Sequence, residues 1–63
     1  MMRIEDATPG RRVCHEVENN GPIWRGTVKQ NDGPPVADGL VWVKWDGELA
    51  AHLIHVDVLE PVQ

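Results

Sequence analysis

Turn signals recur along this chain every about 8–12 residues, a spacing that admits short strands and little else. Thr8-Pro9-Gly10, Asn19-Asn20-Gly21-Pro22, the stretch 31–39 with its two Gly, two Pro and two Asp, and Asp46-Gly47 divide the 63 residues into brief segments. Between the turns the period is two. Val13 and Val17 alternate with charged neighbours; Trp24, Gly26 and Val28 alternate with Arg25, Thr27 and Lys29; Val41, Val43 and Trp45 alternate with Trp42 and Lys44. Side chains on a strand point alternately to its two faces, so each set shares a side. No segment carries a sustained 3.6-residue period with caps. The pattern predicts strands at approximately 11–17, 23–30, 40–46, 49–55 and 58–62, in a single domain covering 1–63.

Five short antiparallel strands with a longer loop before the third predict an all-β fold, a single five-stranded SH3-like barrel, since closing the sheet protects its edges. The expected core is Val13, Trp24, Val28, Val41, Val43, Trp45 and Leu59. Two Trp rings supply burial that Phe and Tyr, both absent from the chain, would otherwise give. Gly26, inside a strand, marks a bend or a close approach by another backbone. A chain this short buries only about 60% of its unfolded surface, which excludes multi-domain enzymes and doubly wound nucleotide-binding folds. The apolar run 40–43 is far shorter than the roughly 20 residues of a membrane-spanning helix, so no membrane association is expected.

Gly10-Arg11-Arg12-Val13, Trp24-x-Gly26-Thr27-Val28, Val41-Trp42-Val43-Lys44-Trp45-Asp46-Gly47 and Val58-Leu59-Glu60-Pro61 follow one another in an order that resembles the Tudor, KOW and MIB group of SH3-like modules. The resemblance covers nearly the whole chain and implies the fold, with little about a ligand. Asp32-Gly33-Pro34-Pro35 ahead of a Val-x-Trp-Asp-Gly strand also resembles short bacterial domains without an assigned activity. A further likeness is to the plasmid-borne type II dihydrofolate reductases, tetramers of SH3-like chains. In that family a V-Q-I-Y segment lines a shared pore for folate and a nicotinamide cofactor. The matching segment here is His52-Leu53-Ile54-His55, in which only Ile54 agrees; Leu53 replaces the amide and His55 the tyrosine.

The net charge is −4 and the pI near 5.1. Phosphate neutralisation drives unselective nucleic-acid binding, and such binders are usually basic. The charge is uneven, however. Residues 1–29 carry Arg3, Arg11, Arg12, Arg25 and Lys29 against four acids, and residues 30–63 carry only Lys44 against six. If Trp45 points inward, Trp42 and Lys44 point outward, and Arg25 and Lys29 join them on the outer face. An indole among three cations can stack on a planar ligand or anchor a protein partner. The residues leave a second role open, in which Trp42 packs under the loop 31–39 or against Met1 and Ile4.

Other chemistry finds little support. His52-x-x-His55 with Cys14-His15 has metal-ligand residue types, but neighbours on a strand face opposite sides, so no metal site is assigned. There is no Ser in the chain, and a Cys14–His15 dyad meets the same parity obstacle. A methyl-lysine cage needs several convergent aromatics, whereas two of the three Trp are assigned to the core. Cys14 is single, so no internal disulfide forms, and the start MMRIEDATPG lacks the apolar run of a signal peptide. An intracellular, cytoplasmic protein is expected. The reading taken forward is a small non-catalytic binding module without a cofactor. It binds a protein partner or itself through Arg25, Lys29, Trp42 and Lys44. A nucleic-acid-binding module and an oligomeric reductase with a diverged pore segment are the alternatives.

Overall fold

The computed structural model describes residues 2–16 and 21–62. They form one antiparallel sheet of β1 (Arg12–Glu16), β2 (Ile23–Lys29), β3 (Leu40–Trp45), β4 (His52–His55) and β5 (Glu60–Pro61), in the order β4-β3-β2-β1-β5. Successive strands β1 to β4 are neighbours, and the chain then crosses back to lay β5 beside β1. Single 3-10 turns occupy Ile4–Asp6 and Val56–Val58. The predicted all-β class is therefore present, but β4 and β5 do not pair, and the sheet stays open. β5 spans two residues, and Pro61 has no N–H to offer a second ladder.

The inner face holds the core. Val13, Val28, Val43, Trp45 and Leu59 are buried as the alternation predicts, and Val41 packs partly buried against them with Ile54. Met2, Ala7 and Val56 complete the cluster from outside the strands. Gly26 lies opposite both Val13 and Trp45. A Cβ there would come within 2.7 Å of the Lys44 carbonyl oxygen and 2.9 Å of Trp45 Cε3, so the missing side chain lets β2 approach β3 with the Trp45 ring across it. At the start of the sheet, Arg11 N–H donates to Thr8 O at 3.0 Å, with Pro9 second and Gly10 third at φ +92°. Those positions suit a type II turn, whose third residue needs positive φ.

Three expectations are corrected. Trp24 is on the inner face but is 41% exposed, because β3 ends at Trp45, opposite Gly26, and supplies no residue to cover the ring one row further on. The fourth strand starts at His52 rather than 49. Asp46 N–H still donates to Arg25 O, and Glu48 N–H donates to Trp45 O at 3.0 Å, which closes a turn over 45–48. Gly47 sits in that turn at φ +88°, and 49–51 are spent returning the chain to β3. The fifth strand is Glu60–Pro61 rather than 58–62, because Val56–Val58 takes a 3-10 turn capped by His55 Nδ1, which accepts from Asp57 N–H. The end of the first predicted strand at Val17, and the first half of the 19–22 turn, lie outside the described residues.

Candidate interaction surface

Antiparallel pairing assembles the outer face row by row. Lys29, Trp42 and Leu53 stand opposite one another on β2, β3 and β4; Arg12, Thr27 and Lys44 form the next row on β1, β2 and β3; Arg25 lies opposite Cys14 in the row beyond. Arg25, Lys29, Trp42 and Lys44 thus share one side, as strand parity requires. Trp42 is half-buried, and Lys29 and Arg25 are exposed.

The loop 31–36 stands beside Trp42, which is less exposed than Trp24. Trp42, Lys29, Pro34, Pro35, Val36 and Ala51 are among the residues lining a shallow groove of about 360 Å3. Asn31 holds that wall in place: its Oδ1 accepts from Gly33 N–H and its Nδ2 donates to Pro34 O, both at 3.0 Å. This is the local side-chain turn that Asn makes two residues ahead of a Gly, and two successive Pro then restrict the backbone further. Asn31 was not singled out among the candidate residues, although Asn-x-Gly-Pro carries the signal. Ile4, the other proposed cover, is itself 48% exposed. Met1 lies outside the described residues.

The neighbouring row has a different character. Arg12 reaches over β2 to Asp46, with Nη1 to Oδ1 at 2.9 Å and Nη2 to Oδ2 at 2.6 Å, and Nη1 also donates to Thr27 Oγ1 at 2.8 Å. That two-pronged contact holds the Asp46 carboxyl below the usual carboxylate range, helped by the positive charges of Lys44 and Arg25. The Arg12 guanidinium is shifted upward in return. Part of the positive charge on this face is therefore balanced by Asp46, while Lys29, beside Trp42, lies outside that ion pair.

A second concavity, absent from the sequence reading, lies at the other end of β2. Trp24 meets Trp45 edge-on, with ring centroids 6.1 Å apart and planes at 82°, and His15 flanks Trp45 at 6.4 Å. Pro22, Ile23, Trp24, Arg25 and Glu48 help line an open cleft of about 510 Å3 there. His15 is fixed by donating from Nδ1 to Val58 O at 2.8 Å. Cys14 looks to the outer face and His15 to the inner one, so the two share neither a metal ion nor a proton. Among the described residues no three His, Cys, Asp or Glu side chains converge as metal ligands.

Compared with family models, with curated proteins and with solved structures, the chain matches none of them.

Proposed function

We propose that this chain is a small non-catalytic interaction module of SH3-like architecture that binds a protein partner through the outer face around Trp42. One observation carries the reading: Trp42, half-buried, lines a braced groove with a lysine at its side. An apolar body beside a cation suits a partner segment that offers an aliphatic or aromatic side chain next to a carboxylate. The groove wall is held by Asn31 and two Pro, so little conformational freedom is lost when a ligand enters. Lys44 and Arg25, further along the face, extend the attraction to an acidic segment. The strand order, with β5 returning beside β1, supports the SH3-like architecture. A protein partner is favoured over nucleic acid because Asp46 balances part of the basic row and the whole chain is acidic.

Selection from a displayed peptide library tests the proposal. Binders enriched on the wild-type chain are expected to pair an apolar residue with Asp or Glu. Their affinity falls at least tenfold with Trp42→Ala, while the far-ultraviolet circular dichroism of the variant is unchanged. Peptides that bind Trp42→Ala equally well, or a preference for short oligonucleotides that weakens steeply with salt, would overturn it.

A further inference from the structure

An open sheet has two edges, and here they are unlike. The β5 edge is two residues long and contains Pro61, both of which blunt strand pairing. The β4 edge has neither protection. It lies within an eight-residue segment, 49–56, that contains no Lys, Arg, Asp, Glu or Pro. Leu53 is 40% exposed at its middle, and Leu49, just before the strand, is 98% exposed.

The main chain of that edge is open as well. Val56 N–H donates to Gly39 O. Narrow and wide pairs alternate in an antiparallel ladder, so Val41–Ile54 and Val43–His52 are the hydrogen-bonded pairs. The N–H and C=O groups of Leu53 and His55 consequently point away from β3. Among the described residues, no main-chain bond outside the β3–β4 ladder reaches Leu53.

From these features we infer that β4 pairs antiparallel with β4 of a second copy of this chain, across a two-fold axis at Leu53, to make one continuous ten-stranded sheet. Three observations select a second copy over an unrelated strand. The outward donors and acceptors fall on the alternate residues Leu53 and His55, so the strand can meet a copy of itself across Leu53. With that register Leu53 meets Leu53 of the second copy, and His55 lies across from its Ala51. Each chain carries −4, yet none of its formally charged residues lies in the segment, so two copies meet along a neutral strip. The segment also holds no charge with which to select a different partner. Pairing adds apolar burial to a chain too short to build a large core. This inference does not depend on the binding role of Trp42, which lies in the adjacent strand.

Light scattering on the full chain over rising concentration tests it. The mass is expected to climb from 7.1 kDa toward twice that value. Leu53→Lys, a substitution that edge strands accept, should remain at the single-chain mass with unchanged circular dichroism. Leu53→Cys in a Cys14→Ala background supplies the geometry. Hydrogen-bonded antiparallel pairs place Cα atoms about 5.5 Å apart, within disulfide range, so oxidised glutathione should give a covalent dimer. Lys29→Cys in the same background should not. A wild-type mass that stays at one chain, a Leu53→Lys protein that still dimerises, or cross-linking as fast through position 29 as through 53 would each overturn the inference. Peptide capture by the Trp42 groove is unaffected by the first of these results, so the two readings fail separately.

Discussion

At the residue scale, Gly26 and Asp46 show how single side chains, present or missing, set the geometry. Adding one methyl at Gly26 forces the Lys44 carbonyl or the Trp45 ring to move, and backbone cannot retreat cheaply. Gly26→Ala is expected to cost about 1–3 kcal/mol, read as a lower urea midpoint with an unchanged slope. The alternating pattern around Gly26 made the close approach legible, because a gap in an otherwise bulky inner face needs a tenant, here the Trp45 ring. Asp46 was legible only as a turn residue; its bond to Arg12 joins positions far apart in sequence, and no local pattern announces that. Since folding lowers the Asp46 pKa, the contribution of the pair is complete above the carboxyl's unfolded pKa. It is lost as pH falls through the folded value, where the native state must also take up the proton. Urea titrations from neutral to strongly acid pH should therefore show wild type and Asp46→Asn converging in acid. A gap that persists unchanged in acid would mean that the carboxylate charge is immaterial.

At the scale of the elements, alternation predicts which face a residue takes but not how far its neighbours extend. Trp24 illustrates the limit. Its side of the strand is as expected, yet β3 stops one row short, and an intended core ring becomes half of an exposed cleft. Val58 shows a different failure: expected to open the fifth strand, it closes the 3-10 turn Val56–Val58 that His55 caps. Val58 and Leu59, adjacent in sequence, end in opposite environments, 44% exposed and fully buried. Leu59→Ala is expected to remove about 2–5 kcal/mol, whereas trimming the exposed Val58 to Ala should change stability by less than about 0.5 kcal/mol. Thermal melts of the two variants, compared at one concentration, separate those effects; equal shifts would contradict the burial pattern.

At the scale of the whole molecule, a 63-residue domain has a stability of roughly 3–9 kcal/mol at about 0.05–0.15 kcal/mol per residue. The Leu59→Ala loss is a large fraction of the whole, so the melting temperature of that variant should fall steeply. The same small margin explains why residues outside the strands matter. Met2, Ala7 and Val56 close the core from segments without periodicity, and isolated apolar residues leave no pattern to read. The outer-face grouping of Arg25, Lys29, Trp42 and Lys44 was legible because it depends on parity alone; the groove wall beside it depends on the path of a nine-residue loop and was not. The three indoles have a use beyond architecture. With no Tyr or Phe in the chain, they account for its aromatic spectroscopy. Trp45 sits in the core, Trp42 in the groove, and Trp24 edge-on to Trp45 at a distance where two transition dipoles exchange excitation. Exciton-coupled dichroism from that pair lets a spectrometer follow the loss of packing around Trp45 without attaching a label.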